Sequence, residues 1–190
     1  MRRNPSAEIA RRVAGSPRWR WLGIEARALV LATTYAALHE EFDPALRQEP
    51  LAAMLMIGVA GRSKQVRIEA RAVNRASRLL PDASARVPAP LMLAFGPAFH
   101  RSSIPGIASA VVLRRRGVRC RLSQDAGRYL CNAAYFRALV EPGPTLFLHI
   151  PRPPRVRPRK TRRPRPRLTW SERLSEAFVD VAVDLVRRGR

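Results

Sequence analysis

Lysine is almost absent from this 190-residue chain. Only Lys64 and Lys160 occur, yet Lys and Arg together number 36 against 14 Asp and Glu, so the formal charge of +22 is carried nearly all by arginine. Such a balance points to nucleic acid or another anionic surface as a partner. Aromatic residues make up 6% of the chain and there are three histidines, too few for base-stacking platforms or zinc modules. Two cysteines, Cys120 and Cys131, are no disulfide framework, and nothing suggests export, so at least one thiol is expected to be free. The longest apolar stretches, residues 51–60 and 91–99, fall well short of the ~20 residues needed to cross a bilayer. No charged n-region with an apolar h-region opens the chain, so a soluble, cytoplasmic protein without a membrane partner is expected. What is present is a 46% apolar composition, enough for one sizeable core, which makes a wholly disordered chain untenable.

The local patterns read in order. Asn4-Pro5-Ser6 ahead of an apolar run, with Glu8 in the first turn, predicts a helix over about 5–14. Residues 25–33 are apolar and short, a strand, and 35–42 follow as a helix with Leu38 and Phe42 on one face. The run LAAMLMIGV at 51–59, ending in Gly58-Val59-Ala60-Gly61, suits a buried parallel strand with a turn at its carboxyl end. Next, Val66, Ile68 and Ala70 alternate with Arg67, Glu69 and Arg71, which sets three charged side chains on one strand face, Glu69 between two arginines. Dense prolines over 80–97 predict irregular chain, and Ser102, Ser103 and Pro105 open a helix over about 104–116 that Gly117 ends. A strand at 118–123, a turn at Asp125-Ala126-Gly127, a helix at 128–140 and a strand at 145–150 complete an alternation that implies a parallel α/β sheet.

Residues 152–167, from Arg152 to Arg167, hold nine basic residues, no acid and many prolines, and are expected to be a solvated polyproline-like excursion from a single domain over 1–190. Periodicity returns over about 169–188, with Leu174, Phe178, Val181 and Leu185 on one face of a closing helix behind a Thr169/Ser171 cap.

A cysteine nucleophile works as the thiolate, which the N–H dipoles of a helix start stabilise, and Cys131 takes that place. Taken alone, a small buried cysteine is the plainer reading. The segment Asp125-Ala126-Gly127-Arg128-Tyr129-Leu130-Cys131-Asn132, however, resembles the S-A-G-x-Y-L-C-N nucleophile segment of the pyroglutamyl peptidase I family of cysteine peptidases. Further segments agree in order: Asn4-Pro5-Ser6 with N-P-S, residues 58–62 with G-Q-A-G-G-R, and 69–74 with E-R-x-A-x-N. Gly96-Pro97-Ala98 and Ser102-Ser103-Ile104-Pro105 are similar to G-P-A and S-T-L-P, and Phe147-Leu148-His149-Ile150-Pro151 to F-I-H-V-P.

That resemblance covers roughly residues 4–151. It implies a three-layer α/β/α fold around a mostly parallel twisted sheet, without the family's first strand and its G-F-x-P-F-G-G loop, because only Met1-Arg2-Arg3 precede Asn4. It implies Cys131 as nucleophile, His149 as base and Glu69 as the group that orients the imidazole, with Gly58, Val59, Gly61 and Arg62 in a substrate and oxyanion loop. Val59 stands where the family often has Gln. The implied partner is a peptide with a blocked amino terminus, cleaved without metal or other cofactor, and a homo-oligomer is compatible with it. The alternative is a catalytically impaired relative, or a nucleic-acid-binding protein that works through the Arg152–Arg167 tract.

Overall fold

A computed structural model describes residues 4–48, 50–88, 90–154 and 168–189. Helix α1 (Pro5–Ala14) starts as its sequence predicts: the Asn4 side chain accepts from the Ser6 N–H, and Pro5 fills a first-turn position that needs no donor. A short helix α2 (Arg18–Trp21) follows. A helical stretch runs next through α3 (Tyr35–Ala37), a π-helical turn over Leu38–Phe42 and α4 (Asp43–Gln48). Strands β1 (Met54–Val59), β2 (Val66–Glu69) and β3 (Arg71–Val73) come next, then β4 (Phe99–Arg101). The remainder alternates as α5 (Gly106–Arg115), β5 (Cys120–Ser123), α6 (Leu130–Ala138), β6 (Thr145–Ile150) and α7 (Trp170–Arg188).

The main sheet has strand order β1-β6-β2-β5. Pairs β1/β6 and β2/β5 are parallel, while β2 runs antiparallel to β6, so the sheet is mixed and mostly parallel rather than wholly parallel. Strands β3 and β4 form a small antiparallel ribbon that the sequence patterns did not predict, since β4 is three residues long and follows the proline-rich region.

Alternation along the strands sorts side chains into two layers. Val66, Ile68, Leu146, Leu148 and Ile150 point to the face covered by α1, α5 and α7, where Ile9, Leu113, Phe178 and Leu185 complete the larger core. On the other face, Met56 and Phe147 meet α6 through Ala133, Tyr135 and Phe136. A three-layer α/β/α arrangement results. The charged alternation in β2 therefore does not make a solvated face: Arg67 and Glu69 lie on the α6 side, and Glu69 has no exposed surface.

The strand expected over 25–33 does not form. That segment takes no regular secondary structure and joins neither sheet among the described residues. Ile24 and Ala26 rest on the larger core and Leu31 on the cluster around α6, so apolar anchoring at both ends holds it without a ladder. The helix expected over 35–42 runs on to residue 48 through the π-helical turn, and the strand expected through Arg71 is broken after Glu69, with Arg71 in the ribbon. The other expected helices and strands form within three residues at each end. The excursion expected over 152–167 lies, beyond Pro154, outside the described residues. No helix among the described residues is long and apolar enough to cross a membrane.

Candidate active site

Register brings the site together. His149 lies opposite Gly58 of β1 on one side and Arg67 of β2 on the other, while Glu69 lies opposite Phe147 and Ser123. All six therefore share the sheet face under α6. His149 Nδ1 is 2.8 Å from Glu69 Oε1, and both side chains are buried. With Nδ1 taken, Nε2 is left for Cys131, the second hydrogen-bond partner of the imidazole. Burial works against charge on His149, but the hydrogen bonds with Cys131 and Glu69 outweigh it and raise the imidazole to about 9 from its ordinary 6.5.

Cys131 is the second residue of α6, with Tyr129 at the cap position. Its thiol fits against β1 because position 58 is glycine: a Cβ there would stand 2.9 Å from Cys131 Sγ and 2.9 Å from the Phe147 ring. The helix start is fixed by Asn132, which is fully buried. Its Oδ1 accepts from Val73 N at 2.9 Å and its Nδ2 donates to Val73 O at 2.8 Å, so one side chain does what a neighbouring strand would do for β3. Because β3 continues directly from β2, this ties Cys131 to Glu69.

Other residues complete the frame. Tyr135 donates to the Glu69 carbonyl at 2.9 Å, and its phenol is pushed up by burial. Tyr135, Phe147 and His149 stack in series, with ring centroids 5.4 Å and 4.7 Å apart. Asn74 accepts from the Leu93 and Ala94 N–H groups and donates to the carbonyls of Ala94 and Pro97, which shapes the loop over 91–97. Arg67, the cross-strand neighbour of His149, forms an ion pair with the same carboxylate oxygen, its Nε 3.0 Å from Glu69 Oε1.

Of the residues singled out in the sequence, the structure brings Cys131, His149, Glu69 and Gly58 together. Val59 alternates away and packs on the larger core, which removes its side chain from the site. Gly61 and Arg62 lie in the exposed turn beyond β1, where Gly61 sits under the Arg152 guanidinium. Glu69 pairs with Arg67 and not with Arg71, whose Nε donates to Gln124 O at 2.6 Å. Both cysteines are free; Cys120 is buried in the opposite layer, and burial raises its thiol against the opposing effect of Arg114. Sequence reasoning set Arg67 and Arg71 beside Glu69 as possible ion-pair partners without a role in the site, and missed Asn132, Tyr135 and Asn74. Asn132 and Asn74 stood inside the quoted motifs, but nothing local assigned them a partner. Among the described residues no three His, Cys, Asp or Glu side chains converge as metal ligands.

A thiol at a helix start, a buried imidazole and a buried carboxylate aligned in that order define a cysteine peptidase-type site. The sequence model of the family described as pyroglutamyl peptidase matches residues 2–187, and the chain belongs to that family. A pyrrolidone-carboxylate peptidase from Chromobacterium violaceum is 31% identical over 154 residues, which cover 78% of this chain and 70% of that protein. The crystal structure of pyrrolidone carboxyl peptidase from Thermus thermophilus is 27% identical and superposes with a TM-score of 0.74, covering 97% of this chain and 93% of the other. Pyroglutamyl peptidase I from Bacillus amyloliquefaciens, at 21% identity, shares the fold with a TM-score of 0.79 over 98% of this chain and 91% of its own.

Proposed function

We propose that this chain removes an amino-terminal pyroglutamyl residue from peptides, with Cys131 as nucleophile, His149 as acid and base and Glu69 as its orienting carboxylate. The observation that carries the reading is the buried His149–Glu69 contact of 2.8 Å with Cys131 as the second partner of the ring. His149 takes the thiol proton, the Cys131 sulfur attacks the pyroglutamyl carbonyl carbon, and the C–N bond breaks as the imidazolium protonates the leaving amine. Water, deprotonated by His149, then hydrolyses the thioester and frees the thiol. N–H groups of the first turn of α6 have no acceptor within the helix, and they supply hydrogen bonds to the oxygen that becomes negative.

The test is hydrolysis of a pyroglutamyl-coumarin amide. Cys131→Ala and His149→Ala are expected to abolish it, because neither partner alone makes an activated thiolate. Glu69→Gln is expected to cost roughly 10- to 1,000-fold in kcat, since the carboxylate orients the ring without reacting. A purified, folded chain that leaves the amide intact overturns the substrate assignment.

A further inference from the structure

The Arg67 guanidinium makes contacts that a surface ion pair does not need. Its Nη2 donates to Glu69 Oε2 at 3.4 Å, and its Nε lies 3.0 Å from Oε1 as an ion pair without hydrogen-bond alignment, so the charged group faces both carboxylate oxygens. The same Nη2 donates to Ser123 Oγ at 2.7 Å, at the end of β5, and to the carbonyl of Asp125 in the turn that leads into α6. The side chain is about one-fifth exposed, while that of Glu69 is not exposed at all.

Two consequences follow. A buried carboxylate needs a charged or hydrogen-bonding partner throughout the cycle. His149 cannot supply a full charge throughout, because it is neutral whenever it has passed its proton to the leaving amine. Arg67 stays charged at every step and continues to grip the carboxylate. Secondly, one group holds the strand that carries Glu69 and the turn that delivers Cys131, which couples the spacing of two members of the triad.

We propose that Arg67 is a positioning residue of this site: its ion pair and Nη2 hydrogen bond hold Glu69 in the orientation that fixes the His149 ring, and Nη2 anchors the turn before Cys131. The inference rests on the reading of Cys131, His149 and Glu69 as the reacting group. Its test therefore uses a readout that needs no pyroglutamyl substrate. The rate of Cys131 alkylation by iodoacetamide at pH 7 is measured by mass spectrometry, with Cys120 as the internal reference, in wild type, Arg67→Met, Glu69→Gln and the double variant.

Arg67→Met is expected to slow alkylation roughly tenfold in the wild-type background and less than about twofold in the Glu69→Gln background, because a residue acting through Glu69 loses its effect when Glu69 is changed. Arg67→Lys, which keeps the charge without the guanidinium, is expected to fall between. The same slowing in both backgrounds, or none in either, overturns the proposal. Thermal melting establishes that each variant is folded, and where Arg67→Met is not, Arg67→Lys carries the same cycle.

On the pyroglutamyl amide, kcat is expected to fall in step with alkylation while KM stays within about threefold of wild type. A change confined to KM would place Arg67 on the substrate and overturn the positioning role. If the wild type is inert on the amide while the alkylation cycle holds, the substrate assignment fails and the role of Arg67 stands.

Discussion

At the scale of single residues the site depends on two small facts, one electrostatic and one steric. His149 is raised to about 9 because hydrogen bonds with Cys131 and Glu69 outweigh burial. Since the folded value lies above the ordinary 6.5, the stabilisation of the charged ring is full below about pH 6.5 and is lost as pH rises through about 9. Melting temperature is therefore expected to decline across that window in wild type and to decline less in His149→Ala, as read by thermal melts at a series of pH values. Activity is expected to fall on the same basic limb, as the imidazolium that protonates the leaving amine disappears. The steric fact is Gly58. A methyl group there would meet Cys131 Sγ and the Phe147 ring at 2.9 Å, closer than real contacts allow. Gly58→Ala is expected to push the thiol off line and lower kcat by about a hundredfold or more, with a stability loss of about 1–3 kcal/mol. Wild-type kcat in that variant would show that the thiol has room to move.

Elements differ in whether they support the site or only the fold. The first turn of α7 is closed by a capping box, in which the Thr169 hydroxyl accepts from Glu172 N while Glu172 accepts from Thr169 N at 2.8 Å. This end of the helix is remote from Cys131 in sequence and belongs to the layer on the opposite sheet face. Thr169→Ala is expected to cost about 1 kcal/mol in a denaturant melt and to leave kcat unchanged. The start of α6 is the opposite case, because Asn132 ties it to β3 and Cys131 sits beside that tie. Local pattern found both helix starts. It did not distinguish them, since the difference lies in what each packs against.

Over the whole molecule, stability rests on the two apolar layers rather than on charge. With 36 basic residues and 14 acidic ones, basic side chains outnumber acidic ones by more than two to one. Asp180 of α7 is shared by Arg18 and Arg116, whose side chains are nearly half exposed, and such an ion pair contributes about 1 kcal/mol or less. The larger core is a different matter. Phe178 is fully buried between α7 and the sheet, and Phe178→Ala is expected to cost about 3–5 kcal/mol, a large share of the total stability of a domain. Calorimetry is expected to show a melting point lower by about 10 °C, and a shift under about 3 °C would mean that the layer collapses into the gap.

The sequence by itself determined whatever depends on neighbours along the chain. Strand β6 forms over the same six residues that its apolar run marked, α1 and α7 start at their caps, and Cys131 stands at a helix start because Asp125-Ala126-Gly127 turns just before it. The motifs of residues 58–62, 69–74, 125–132 and 147–151 also carried the family. Tertiary structure alone decided which strands pair and in which direction. The antiparallel β2/β6 pairing, not legible in either strand, sets Glu69 diagonally across from His149. It also decided that Arg67 grips Glu69 while Arg71 turns to Gln124, although both flank Glu69 at equal spacing. Alternation along a strand reports which residues share a face. What that face meets is set by hydrogen bonds and burial between segments far apart in the chain.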